Sequence, residues 1–144
     1  MKNKILPFSA IILIALFAAC SKDGSQPGDR SVASLSGTYN LTSLIVTEGS
    51  ISTDEYPSLP DCVKGNTLTF KPELLVTFND VAPVCDPPAD STANWSLSQN
   101  TDTLFVGTTK YFISSWDGTT LVLNSDSVYM TIPVKLKTTL VKQK

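Results

Sequence analysis

The stretch Lys110-Tyr-Phe-Ile-Ser-Ser-Trp-Asp-Gly-Thr-Thr-Leu-Val-Leu-Asn124 contains the features that decide the fold. Two segments rich in β-branched and aromatic residues, 110–115 and 119–124, flank the pair Asp117-Gly118. An Asp-Gly pair between such segments is a strong hairpin signal, because the tight turns of hairpins need positive φ angles. The stretch therefore predicts two antiparallel strands joined by a tight turn.

The same pattern recurs on both sides of this hairpin, from residue 35 onward. Short segments rich in Thr, Val, Leu, Ile and aromatic residues alternate with turn signals, which is typical of an all-β barrel or sandwich. We predict strands at residues 37–47, 66–70, 74–79, 93–98, 103–106, 110–115, 119–124 and 127–136. Eight sequential strands with mostly short connections favour an antiparallel up-and-down barrel, because pairing the last strand with the first removes the exposed edges.

Within these segments the apolar side chains share one face, and Thr and Ser occupy the other. The apolar face holds Leu68, Phe70, Val76, Phe78, Trp95, Leu97, Leu104, Val106, Leu121, Leu123, Val128, Met130 and Ile132. Eight such strands close around an interior that side chains fill, or that holds one small ligand.

The first 20 residues have the pattern of an export signal. Lys2 and Lys4 precede an apolar run of about 15 residues, which is shorter than the roughly 20 that a membrane-spanning helix needs. The run ends in Phe17-Ala-Ala-Cys20, which resembles the lipobox of bacterial lipoproteins. The resemblance implies that residues 1–19 are a cleaved signal peptide and that Cys20 carries a lipid that anchors the protein to a membrane. An ordinary cleaved signal and a retained anchor remain the alternatives.

Residues 20–34 are expected to form the lipidated cysteine and a flexible tether, because residues 21–34 are small and polar and contain Gly24, Pro27 and Gly28. Residues 35–144 then form the barrel domain. The two remaining cysteines, Cys62 and Cys85, are an even pair in an exported protein, which favours a disulfide. Cys62 precedes the second predicted strand and Cys85 follows the third, so hairpin pairing brings them together. A metal site and a reactive thiol are the weaker alternatives, since two cysteines without histidine make a poor zinc site.

Composition argues against several classes of function. The chain has no histidine, which removes a Ser or Cys catalytic triad and the usual metal sites. Without Lys2 and Lys4 it carries 9 basic and 13 acidic residues, and this net charge of −4 argues against nucleic-acid binding. The closest carboxylate groupings, Asp54-Glu55 and Asp86 with Asp90, fall in proline-rich loops. We therefore expect no enzyme activity, metal or cofactor.

Several short stretches resemble a known family. Gly37-Thr38-Tyr39 is similar to the Gly-x-Trp start of lipocalins, with tyrosine in place of tryptophan. Together with the lipobox, the stretches Leu35-Ser-Gly-Thr-Tyr-Asn-Leu41, 62–70 and Ala93-Asn-Trp-Ser-Leu97 resemble the lipocalin-like lipoproteins of Bacteroidota. The resemblance covers about residues 35–140 and implies a small eight-stranded lipocalin-like barrel at the outer membrane. The arginine that packs on the tryptophan of lipocalins has only Lys135 or Lys137 as candidate counterparts.

Two functions remain open from the sequence. In the first, the barrel holds a small hydrophobic ligand, which Phe70, Phe78, Trp95 and Leu104 line, with Trp116 at the rim beside its turn. In the second, side chains fill the barrel, and the loops 51–60 and 82–91 contact a protein of the cell envelope. The interior volume separates these functions, because ligand pockets begin at roughly 300 Å³.

Overall fold

The computed structural model describes residues 28–81, 83–88 and 90–144. The expected signal peptide, Cys20 and residues 21–27 of the expected tether lie outside this part of the chain. The strands are β1 (Gly37–Glu48), β2 (Ile51–Asp54), β3 (Thr67–Phe70), β4 (Leu75–Asn79), β5 (Ser91–Leu97), β6 (Thr103–Val106), β7 (Thr109–Trp116), β8 (Thr120–Tyr129) and β9 (Ile132–Lys142). Three short helical turns accompany them: α1 (Val32–Leu35), a 3₁₀ turn (Tyr56–Ser58) and α2 (Asp61–Lys64).

The strands form one antiparallel sheet that closes on itself. From β3 to β9 each strand pairs with the next one along the chain, and β1 pairs with both β3 and β9. The closing pair is long, because it runs from Tyr39 opposite Lys142 to Thr47 opposite Lys135. The predicted eight-stranded up-and-down barrel is therefore confirmed.

β2 is a further strand of the same sheet that is not one of the eight strands of the closed barrel. The sequence analysis assigned this segment to a loop. Gly49, with a φ of 58°, and Ser50 form a two-residue turn, after which Ile51–Asp54 pairs with the second half of β1. All four residues of β2 are exposed. The strand was missed because it has no buried face, so its sequence shows no apolar alternation.

The last hairpin differs from the predicted one. The sequence analysis ended the seventh strand at residue 124 and began the eighth at residue 127, whereas β8 continues to Tyr129 and the turn lies at Met130-Thr131. Both turn residues have positive φ angles, 46° and 77°. Methionine and threonine rarely adopt such angles, so the turn carries no recognisable signal. The expected burial of Val128, Met130 and Ile132 is consequently wrong: they are 69%, 78% and 41% exposed.

The inward faces of the strands form a continuous apolar core. Its fully or nearly buried members are Leu35, Tyr39, Phe70, Val76, Trp95, Leu104, Ile113, Trp116, Leu121, Leu123 and Leu140. Three aromatic pairs connect it, with ring centroids 5.6 Å apart for Tyr39–Phe70, 5.2 Å for Phe70–Trp95 and 6.1 Å for Tyr39–Trp116. Each large apolar side chain buried in this way stabilises the fold by about 1.5–3 kcal/mol.

Residues 28–36 cover one end of the barrel, which we call the closed end. Ser31 caps α1 through its hydroxyl, which accepts a hydrogen bond from the Ser34 amide at 3.2 Å. The backbone N–H of Gly28 donates to the Trp116 carbonyl at 2.6 Å, and a Cβ atom at Gly28 would meet this tryptophan at 3.0 Å. Residues 28–34, which the sequence analysis assigned to the flexible tether, thus lie against the barrel.

Two side chains from the barrel hold α1 in place. The Tyr39 hydroxyl donates to the Leu35 carbonyl at 2.7 Å, and Tyr39 is completely buried. The Lys142 ammonium donates to the Ser34 carbonyl at 2.9 Å and lies 5.7 Å from the Trp116 ring and 5.9 Å from the Tyr39 ring. Lys142 is therefore the lysine that lies beside the Tyr39 and Trp116 rings. Lys135 and Lys137, the candidate counterparts of the lipocalin arginine, are exposed on the outer wall.

Candidate functional site

The residues predicted to line a ligand pocket lie in the packed core. Phe70, Trp95, Leu104 and Trp116 are only 1–2% exposed, and Phe78 is half-buried against them. The expectation that Trp116 is exposed at a rim is wrong, because the side chain is only 2% exposed and its indole N–H donates to the Asp29 carbonyl at 3.1 Å and the Ser34 hydroxyl at 3.0 Å. The turn next to Trp116 indicated that this side chain would be exposed, but residues 28–34 cover it.

Four solvent-open grooves of about 260–450 Å³ mark the surface of the described residues. Trp95 lines the smallest of them, together with Leu74, Asn94 and Phe105. The other four predicted residues line none of these four grooves. The predicted set is thus brought together as a core, in which the aromatic rings contact each other.

The second candidate site is the end of the barrel opposite the closed end. Because neighbouring strands are antiparallel, alternate connections lie at opposite ends. Residues 48–66, 80–91, 107–110 and 126–135 therefore share one end, which we call the loop end. It includes both loops that the sequence analysis proposed for protein contacts, 51–60 and 82–91.

Exposed apolar side chains are concentrated at the loop end. Among the described residues, seven of the nine large apolar side chains that are strongly exposed lie there, namely Ile51, Val81, Val84, Val128, Tyr129, Met130 and Ile132. Exposed apolar residues scattered over a surface are ordinary, so it is their concentration at one end of the barrel that distinguishes this surface. The sequence analysis missed the tip of the β8–β9 hairpin because it placed Val128, Met130 and Ile132 inside the barrel.

A disulfide and a set of carboxylates order the loops at this end. Cys62 in α2 and Cys85 form the predicted disulfide, with their Cα atoms 5.1 Å apart. The Asp80 carboxylate accepts from the Cys85 amide at 3.1 Å, and the Asp90 carboxylate accepts from the Asp80 amide at 2.6 Å. The bridge therefore joins the segment after β4 to the segment before β3.

A family model described as a lipocalin-like domain matches residues 35–123. The chain belongs to this family. No curated protein and no solved structure shows a significant match to this chain. The matched region ends within β8, and β9 completes the lipocalin-like barrel by pairing with β1. Proteins with lipocalin-like domains are generally binding proteins and not enzymes.

Ionisable groups in this lipocalin-like domain are arranged for structure. Hydrogen bonds from the amides of Tyr56 and Leu44 lower the pKa of Asp54. A hydrogen bond from the Thr103 hydroxyl lowers the pKa of Asp102. A hydrogen bond from the Thr120 amide lowers the pKa of Asp117. Burial raises the pKa of the Tyr39 and Tyr111 hydroxyls. Each of these pKa shifts therefore has a structural cause, either hydrogen bonds that a carboxylate accepts or burial of a tyrosine hydroxyl.

No group of three or more Cys, Asp or Glu side chains in the described chain is arranged to hold a metal ion. Within that part of the chain, no helix is long and apolar enough to cross a bilayer.

Charge is also concentrated at the loop end of the lipocalin-like barrel. The described residues include 12 acidic and 8 basic side chains. Eight of the acidic residues lie at the loop end, namely Glu48, Asp54, Glu55, Asp61, Asp80, Asp86, Asp90 and Asp126. The basic residues at this end are Lys64, Lys110 and Lys135, and Lys64 forms an ion pair with Asp61 at 3.3 Å. The loop end is therefore both acidic and apolar.

Proposed function

We propose that this lipocalin-like protein is a lipid-anchored, non-enzymatic module of the outer membrane that binds a protein partner through its loop end. One observation carries the proposal: the exposed apolar side chains gather at the loop end, while the barrel interior is packed with aromatic side chains. The interior therefore offers little space to a ligand, and the loop end offers an unusual surface.

The charge of the loop end favours a protein as the partner. A membrane surface rich in anionic lipids would repel eight carboxylates, because juxtamembrane attraction depends on Lys and Arg. A protein surface with apolar residues at its centre and basic residues around them would complement the loop end, and charge complementarity of this kind gives specificity and speeds association.

The position of the tether also favours the loop end as the surface that binds the partner. Gly28 lies at the closed end, eight positions after Cys20. Eight residues span at most about 28 Å when fully extended. A lipid on Cys20 would therefore hold the closed end near the membrane and leave the loop end facing outward.

The lipid anchor has a direct test. We expect the protein expressed in a bacterium with lipoprotein processing to incorporate labelled palmitate and to sediment with outer membranes. The Cys20→Ala variant should lose the label and appear in the soluble fraction, because one thiol carries the anchor. Cys62→Ala, as the matched control, should keep the label. Palmitate incorporation by Cys20→Ala, or none by the wild type, would contradict the anchor.

The loop-end interaction is tested by photo-cross-linking in cells. A photoreactive amino acid at Met130 should give a discrete cross-linked protein, whereas the same amino acid at Gln99, in the closed-end turn after β5, should not. Replacing the tip by Val128→Thr, Tyr129→Thr, Met130→Asn and Ile132→Thr should abolish cross-linking from a second loop-end position, Val84. These changes suit a strand and a turn with positive φ, so the melting temperature should not fall.

Equal cross-linking from Met130 and Gln99 would contradict the proposal. So would uptake of fatty acids or hydrophobic dyes by the delipidated protein together with no cross-link at the loop end, since that result would favour a ligand inside the barrel.

A further inference from the structure

The strand β2 has one hydrogen-bonded side and one free side. Its turn has two residues, so Glu48 and Ile51 exchange both backbone hydrogen bonds, and the pairs alternate from there. Val46 and Thr53 form the next bonded pair, and the Glu55 amide donates to the Leu44 carbonyl at 2.8 Å as this alternation requires. The backbone N–H and C=O groups of Ser52 and Asp54 therefore point away from β1.

No backbone or side-chain group of the described residues bonds to those outward N–H and C=O groups. A row of unpaired backbone groups is a template for another strand. At four residues, β2 could bond an added strand through Ser52 and Asp54. It is therefore the free edge of a sheet whose other strands are closed into the barrel.

A groove of about 450 Å³ lies over one face of the β1–β2 hairpin. Val46, Glu48, Ile51, Thr53 and Glu55 line it, and the strand register places all five on one face of the β1–β2 hairpin. Ile51 is 72% exposed. Neither glutamate forms an ion pair with a described residue. The groove thus combines apolar contact surface with two unpaired negative charges.

We propose that β2 binds an extended segment of the partner protein by strand addition, which deepens the proposed function and rests on it. In strand addition, backbone hydrogen bonds supply affinity and pockets for alternate side chains supply specificity. On this face the added segment lies beside Ile51, Thr53 and Glu55, with Glu48 one strand further away. The segment therefore carries an apolar side chain beside Ile51 and Lys or Arg side chains toward the two glutamates. A second copy of β2 does not fit this description, because it would bring Glu48 and Glu55 against like charges.

The test uses the mature protein and two synthetic peptides with alternating sequence, Lys-Val-Lys-Val-Lys-Val-Lys-Val and its counterpart with Glu in place of Lys. We expect the Lys peptide to bind and the Glu peptide not to bind. On binding, amide hydrogen exchange should slow at Ser52 and Asp54, by roughly tenfold at saturation. Glu48→Gln with Glu55→Gln should weaken binding, and Lys64→Gln, on α2, should not.

Two variants separate the backbone from the side chain. Ser52→Pro removes the outward N–H and should weaken binding of the Lys peptide by about five- to tenfold, whereas Ser52→Ala keeps the N–H and should bind as the wild type does. A Lys peptide N-methylated at alternate residues tests the same bonds without changing the protein, and it should fail to bind in one of its two methylation registers.

Three results would overturn the inference: no binding of the Lys peptide, slowed exchange in the β8–β9 hairpin in place of β2, or full binding of the methylated peptide in both registers. The Met130 cross-link, repeated in Ser52→Pro, distinguishes the two proposals. An unchanged cross-link would reject strand addition and keep the loop-end function, whereas its absence from the wild type would reject the function itself.

Discussion

Replacing Trp116 by alanine is expected to lower the free energy of unfolding by about 3–5 kcal/mol, the cost of removing a large aromatic side chain from a core. The side chain is 2% exposed and packs against Tyr39. Its loss would also break the hydrogen bonds from its indole N–H to the Asp29 carbonyl and the Ser34 hydroxyl, so residues 28–34 would lose their contact with the barrel. Urea unfolding followed by far-UV circular dichroism measures the change.

Phe112→Ala is the matched control, because Phe112 is an aromatic residue of the same strand that is 44% exposed on the outer wall. Its loss should cost only about 1 kcal/mol, because the ring is partly exposed and its contact with the Lys110 ammonium, 4.3 Å from the ring centroid, lies at the surface. Trp116→Phe should fall between the two, because it keeps most of the apolar volume and loses the N–H donor. Equal destabilisation by Trp116→Ala and Phe112→Ala would show that the closed end is not packed as described.

Removing the disulfide is expected to have the second largest effect. Cys62 and Cys85 are separated by 23 positions, and closing a loop of that size stabilises a fold by about 3 kcal/mol in the chain-entropy model. The double variant Cys62→Ala, Cys85→Ala should therefore unfold at a clearly lower urea concentration.

The wild type under reducing conditions should behave as the double variant does. Because the bridge lies at the loop end, amide exchange should accelerate in residues 80–88, with little change at Tyr39 in the closed end. A loss below about 1 kcal/mol, or faster exchange at the closed end alone, would contradict this account of the bridge.

The barrel could be predicted from the sequence because a strand with one buried face shows alternating apolar and polar residues. β3 to β7 each present alternating apolar side chains to one core, and Asp117-Gly118 and the proline-rich loops mark connections that obey ordinary turn chemistry. The disulfide followed from the same reasoning, since Cys62 and Cys85 lie at adjacent hairpin ends.

The elements that were missed do not show this alternation. β2 has no buried side, and the β8–β9 turn uses Met130 and Thr131 at positive φ. The apolar residues at that hairpin tip are exposed, so a pattern that normally indicates a core indicates a surface here. The closed end was missed for a different reason, because the polar sequence of residues 28–34 is typical of a linker, and its hydrogen bonds to Trp116 come from long-range contacts that no local pattern contains.

The sequence could place the side chains of the candidate ligand site in the interior of the barrel, but it could not predict how tightly they pack there. Aromatic and leucine side chains at inward positions are equally compatible with a pocket and with a filled interior. Packing distances, such as the 5.2 Å between the Phe70 and Trp95 ring centroids, are long-range features that the sequence does not contain.

The beginning and the end of the domain meet at the same pole of the barrel, where Lys142 bonds to Ser34 and the Gln143 amide donates to the Thr38 carbonyl. If Cys20 carries the lipid that we propose, a fluorescent protein or purification tag joined after Lys144 would be crowded against the lipid headgroups. The same label inserted at the turn Gly107-Thr108 would stand on the opposite pole, so imaging or affinity capture in living cells should use that position with a short linker.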